Sequence, residues 1–157
     1  MRSLPQCGCV AEQTSSDRRF PTVASALKTV GIMTSRQILV CEDDVVIAVN
    51  LCMQIEALGH IVLGPVANAI DALQIADSHV IDAAVIDLNL ADGRSGLAIA
   101  REMYGRGIPV ILSSGDTLAP MELRDIKHIF VPKPIDEGLL SSCLAGLFSA
   151  PVDTIAA

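Results

Sequence analysis

The chain of 157 residues predicts a doubly wound α/β fold with five parallel strands in the order 2-1-3-4-5 and helices in the crossovers. Three observations carry that prediction. Apolar residues make up 51% of the sequence and aromatics only 3%, so the core is aliphatic, as in sheets covered on both faces. The aliphatic runs have strand length and alternate with stretches of helical period. Gly and Pro punctuate the joints between them. The length suits one domain of ordinary size.

Residues 1–35 mix Ser, Thr, Pro and charge without sustained period and read as an extension outside the fold. Met33 stands just before the aliphatic alternation begins, so translation is expected to start there; a native peptide from residues 1–32 would refute this. Ile38–Cys41 is the first strand, and Val45–Leu58 the first helix, stopped by Gly59 at its C′ position. His60–Val66 is the second strand and Ala69–Ala76 the second helix. Ala83–Asp87, a continuous run of small and branched residues, is the third strand. Gly96–Tyr104 is a helix ended by Gly105 and Gly107, and Pro109–Ser113 is the fourth strand. Between Ser114 and Phe130, Pro120 and a run of charges leave room for a short helix at most, so the fourth crossover helix is shortened or replaced by a loop. Ile129–Val131 is the fifth strand. The last helix starts at Asp136, its N-cap, and ends at Phe148, with Leu139, Leu140, Cys143, Leu144, Leu147 and Phe148 on one buried face. The domain therefore spans residues 36–148, with a tail over 149–157.

Composition excludes several classes of function. A formal charge of −7 and a pI of about 4.7 argue against direct nucleic-acid binding, which needs a basic face to displace counterions. No apolar stretch approaches the roughly 20 residues of a membrane span, and the N-terminus lacks a signal peptide's apolar core. Arg18-Arg19 imitates a twin-arginine signal, but Pro21 and Lys28 interrupt the apolar stretch that such a signal requires. Cys41, Cys52 and Cys143 fall in apolar patterns where a reduced thiol packs as a small hydrophobe, consistent with a reducing cytoplasm. Cys7 and Cys9 have no second Cys or His pair at zinc-ligand spacing.

In a doubly wound sheet, ligands bind beyond the carboxyl ends of the strands. Glu42, Asp43 and Asp44 follow the first strand, and Asp87 ends the third, its neighbour in this order. Converging carboxylates repel unless a cation neutralises them. Oxygen ligands suit a hard ion, and Mg²⁺ takes one or two carboxylates together with a phosphate oxygen. Acids at a helix start also have a bland explanation, the helix dipole. Asp87 does not, because it ends a strand buried among Ala84, Val85, Ile86 and Leu88. Ser114 follows the fourth strand with a hydroxyl donor, and Gly115 beside it leaves room for a phosphate. Lys133 follows the fifth strand with an ammonium, and Pro134 permits a cis peptide that would aim it inward. Four strand ends thus carry the acids, hydroxyl and ammonium that phosphoryl transfer uses.

These motifs resemble the receiver domain of bacterial response regulators over about Arg36 to Phe148. The carriers are Ile38-Leu39-Val40-Cys41-Glu42-Asp43-Asp44, Val85-Ile86-Asp87-Leu88-Asn89-Leu90, Pro109-Val110-Ile111-Leu112-Ser113-Ser114-Gly115 and Phe130-Val131-Pro132-Lys133-Pro134. The resemblance implies a flavodoxin-like sheet and assigns roles. Asp87 would be the phosphoacceptor. Asp43 and Asp87 would ligate Mg²⁺ directly, Glu42 through water, and Asn89 through its backbone carbonyl. Ser114 and Lys133 would hold the phosphoryl oxygens, and Phe130 would be the aromatic switch. The donor would be a sensor histidine kinase or a phosphotransfer protein, and the chain would not be an enzyme with an external product. Only 149–157 follow the last helix, so output is expected through a downstream protein that the sequence does not identify or through competition for phosphoryl groups. Pro109, Ser114 and Gly115 also resemble a Phe-Ala-Thr-Gly-Tyr-type motif of alphaproteobacterial single-domain receivers, while Leu112 and Asp116 replace its aromatics. That partial match implies a kinase of the HWE class.

Two other functions fit parts of the pattern. A Mg²⁺-dependent phosphatase with an aspartyl nucleophile needs a second Asp two positions on as general acid, where Asn89 stands. A pseudo-receiver that acts without phosphorylation would not need the acids, Ser114 and Lys133 together. On the first helix, Asn50 and Gln54 mark an outer face that also takes Val46, Met53 and Ala57. So apolar a face has two readings, a docking site for a kinase helix pair or a second copy in a homodimer, or a helix merely rich in aliphatics.

Overall fold

The computed structural model describes residues 34–115 and 121–149. Cys7, Cys9, Met33, Asp116 and the tail beyond residue 149 lie outside the described residues. In chain order the elements are β1 (Gln37–Cys41), α1 (Val45–Ala57), β2 (Ile61–Val66), α2 (Ala69–Ser78), β3 (Ala83–Asp87), α3 (Gly96–Gly105), β4 (Val110–Ser114), β5 (Ile129–Pro132) and α4 (Glu137–Ser149). All strand pairs are parallel and the order is β2-β1-β3-β4-β5, as the sequence predicts.

Each strand feeds both faces of the sheet, because successive side chains point to opposite sides. On one face Leu39, Ile86 and Leu112 pack with Ile99 and Met103 of α3 and with Ala72 of α2. On the other, Ile38, Val40, Val85 and Ile111 pack with Leu51 and Ile55 of α1 and Leu140 and Leu144 of α4. Both faces are dry, which is why these strands read as unbroken aliphatic runs.

The helix boundaries follow from local chemistry. Asp44 caps α1, its carboxylate accepting from the amides of Val46 at 2.9 Å and Ile47 at 3.1 Å. Gly59, with φ of 84°, ends that helix at the expected place. Asn68 caps α2, which runs past Ala76 to Ser78, where the Ser78 hydroxyl turns back onto the carbonyl of Gln74. Asp136 caps α4 through the amide of Leu139 at 2.8 Å. Leu139 itself is a correction to the expected buried face: it is 37% exposed, because it sits about 100° around the helix from Leu140.

Between β4 and β5 the described residues contain a single helical stretch, the three-residue 3₁₀ turn Met121–Leu123. Leu123 is fully buried in the α2/α3 core. Arg101 of α3 ties the turn down, with a guanidinium nitrogen 2.6 Å from Asp125 and another bonded to the carbonyl of Glu122. No described helix is long and apolar enough to cross a membrane. Cys41, Cys52 and Cys143 are free thiols, and burial pushes that of Cys41 up to about 12.

Candidate functional site

Because β1 and β3 are adjacent, with Cys41 opposite Ile86, the residues that follow β1 and end β3 meet at the carboxyl edge of the sheet. Glu42 and Asp87 are buried, at 3% and 5% exposure, and Asp43 is exposed. One carboxylate oxygen from each of the three lies within 4.8 Å of the others. Asp44 stands apart from this set, being used as the α1 cap.

Lys133 reaches the cluster from the end of β5, across β4. Its ammonium lies 2.5 Å from Asp87 Oδ2 and 2.8 Å from Glu42 Oε2. The Lys133–Pro134 peptide is cis. Burial raises the Glu42 carboxyl above its ordinary range despite the opposing pull of Lys133. Burial alone would lower the Lys133 ammonium, but its hydrogen bonds to Asp87 and Glu42 outweigh that and hold it above its ordinary value. Three carboxylates against one ammonium leave two formal negative charges uncompensated, the charge of one divalent cation. The donors are all oxygen, the set that Mg²⁺ prefers.

The backbone around Asp87 is held closely. The Asn89 amide donates to Asp87 Oδ1 at 3.1 Å, and the Asn89 side chain is exposed. Gly96 opens α3 directly against the end of β3, where a Cβ would stand 2.0 Å from the Asp87 carbonyl oxygen. Only glycine permits that approach.

Ser114 requires a correction: it is the last residue of β4, and the strand begins at Val110 instead of Pro109. The ladder continues because Ser114 pairs with Pro132 and its carbonyl accepts from the Lys133 amide at 2.8 Å. Ser114 is fully buried. Phe130 pairs with Leu112 and is half-buried against the α2/α3 core. Alternation therefore puts Ser114 and Phe130 on the same face of the sheet and Ser113 on the other. The structure thus brings Glu42, Asp43, Asp87 and Lys133 into one cluster, with Ser114 one strand away. The outer face of α1 is as apolar and open as expected, with Val46 79% and Met53 65% exposed.

No family model matches the chain, and no curated protein matches its sequence. Solved structures do match. SdrG from Sphingomonas melonis Fr1 is 29% identical with a TM-score of 0.63, over 73% of this chain and 97% of that one. A CheY-like response regulator receiver domain from Methylobacillus flagellatus is also 29% identical, with a TM-score of 0.63, over 73% of this chain and 99% of that one. The receiver domain of PhyR from Erythrobacter litoralis, at 24% identity, shares the fold with a TM-score of 0.66 over 81% of this chain and all of its own. The strand order and the likeness to these solved structures lead to one conclusion: in fold and sequence the chain resembles the response regulator receiver domains.

Proposed function

We propose that this receiver accepts a phosphoryl group on Asp87 from a histidine kinase or phosphotransfer protein, with Mg²⁺ bound beside it, and signals through a protein partner. The observation that carries this reading is the ammonium of Lys133 between two buried carboxylates that still carry excess negative charge. That charge excess and the all-oxygen donors support Mg²⁺, which Glu42, Asp43, Asp87 and the Asn89 carbonyl would hold. A receiver domain from Pseudomonas aeruginosa with the same fold is described with a magnesium ion coordinated in its active-site cleft. Bound there, the ion supplies charge neutralisation for the incoming phosphoryl group.

The chain's own residues do the remainder. An oxygen of Asp87 forms the bond to phosphorus, the bond from phosphorus to the donor's imidazole nitrogen breaks, and its electron pair leaves with the imidazole. Lys133 moves its ammonium onto a phosphoryl oxygen, and the Ser114 hydroxyl donates to another. Burial of Asp87 and Ser114 limits water access to the acyl phosphate. The sole reactions assigned to the chain are this transfer and hydrolysis of its product. Phe130 would read the position of Ser114 from the same face of the sheet.

The apolar outer face of α1, beside Lys133 and Pro134, supports docking of a kinase helix pair there. The partial match of Pro109, Ser114 and Gly115 makes HWE-class kinases the first donors to assay. The free thiols of β1, α1 and α4 support a cytoplasmic location.

Incubation with acetyl phosphate and Mg²⁺ followed by intact mass tests the proposal. The expected result is a single phosphoryl adduct, absent from Asp87→Asn. No adduct under conditions that label other receivers would refute the reading.

A further inference from the structure

Ser113 lies in the row of the sheet directly beneath the site. Its Cα pairs with Asp87 on one side and Val131 on the other. Val85, Ile111 and Val131 all pack on the α1/α4 face, so alternation sends Asp87 and Ser113, each two residues further along, to that same face. Lys133 stands two residues after Val131, and its side chain passes over β4 to reach Asp87 Oδ2. The Ser113 side chain is fully buried, and its Oγ has no hydrogen-bond partner among the described residues.

Buried hydroxyls are ordinarily paired, because an idle donor away from water is costly. An alanine would fill this place without that cost. The acceptor beside Ser113 in its row is the Asp87 carboxylate, whose Oδ2 is held by Lys133 in the resting protein. Once a phosphoryl group has drawn Lys133 away, the aspartyl group loses that donor.

We propose that Ser113 is a positioning residue for Asp87, its hydroxyl donating to the aspartyl oxygen that Lys133 vacates. The inference rests on Asp87 being the phosphoacceptor. When the acyl phosphate is hydrolysed, a water oxygen bonds to phosphorus, the bond from phosphorus to the Asp87 oxygen breaks, and its electron pair stays on the carboxylate. The water's proton leaves through the phosphate to solvent. Negative charge grows on Asp87 in this step, and a buried donor beside it stabilises the charge as it forms. Ser113 therefore shortens the life of the phosphorylated state.

The test is decay of the adduct. Wild type, Ser113→Ala and Ser113→Thr are loaded with acetyl phosphate and Mg²⁺, freed of the donor, and followed by intact mass. The Ser113→Ala adduct is expected to decay about three- to tenfold more slowly than wild type, the effect of one hydrogen bond to a charge that is only partly formed in the transition state. Ser113→Thr keeps the hydroxyl and is expected to stay within about twofold of wild type. Thermal unfolding of both variants reports packing separately. Wild-type decay in Ser113→Ala, or decay as slow in Ser113→Thr as in Ser113→Ala, overturns this proposal alone. A wild-type protein that takes no adduct overturns the phosphoacceptor reading, and this proposal falls with it.

Discussion

The two ends of the sheet both carry charged side chains, and they are built to opposite effect. At the amino end, Arg36 lies 3.2 Å from Asp82, whose other oxygen accepts the Gln37 amide at 2.8 Å. The Arg36 amide donates to His60 Nδ1 at 3.4 Å, and its guanidinium sits 5.2 Å from the centre of the Phe148 ring, which meets His60 edge-on. One cation meets one anion, so the cluster closes on itself. At the carboxyl end, Glu42, Asp43 and Asp87 outnumber Lys133. That end keeps uncompensated negative charge, which the proposed cation would meet. The two ends differ in compensation of charge, since charged side chains as such stand at both.

Removing the Lys133 cation should have the largest effect. Lys133→Met strands Glu42 and Asp87 without a buried partner and is expected to lower unfolding free energy by about 3 kcal/mol, measured by urea titration without metal. Adding Mg²⁺ should restore part of the loss, since the ion meets the same charges; a loss indifferent to Mg²⁺ would break the comparison. Gly96→Ala comes next. Its Cβ collides with the Asp87 carbonyl, with an expected cost of about 2 kcal/mol by overpacking and a slower phosphorylation rate. At the closed end, Arg36→Ala should cost only about 1 kcal/mol, as its ion pair is half-exposed and its ring contact weak. That cost should not respond to Mg²⁺.

The smallest effect is in pH. Burial first, and then the Arg36 charge, lowers the His60 pKa below its ordinary 6.5, against the pull of Asp82. The unfolded chain therefore binds a proton more readily than the folded one. The contribution of neutral His60 is complete above 6.5 and is lost as pH falls toward the depressed folded value. The unfolding midpoint should decline over that window in wild type and less so in His60→Gln.

The open end is legible in the sequence and the closed end is not, for a physical reason. Glu42 and Asp87 each adjoin a strand buried on both faces, where an acid stands out against the aliphatic run. The pattern accordingly places Ala83–Asp87 to the residue. Arg36, Asp82, His60 and Phe148 come from four separate segments, each unremarkable locally, and only the register of the sheet assembles them. Adjacent serines pose a different difficulty. Ser114 draws attention as a strand-end hydroxyl, while Ser113 looks like more strand; its place beside Asp87 emerges once the β3–β4 register is known. Pro120 and the charges near it predict a shortened fourth crossover helix or a loop, and the described residues there hold only the Met121–Leu123 turn, but its anchoring by Arg101 joins residues too distant for any local pattern.

That anchoring makes α3 a rod with a contact at each stage of its length. It begins at Gly96, seated on the Asp87 carbonyl, and one turn later Arg101 grips the Met121–Leu123 turn. Met121 projects from that turn, 67% exposed. The Met121–Leu123 turn and α3 consequently form one mechanical unit, and a displacement of Met121 is carried, through a single helix, to the backbone of Asp87.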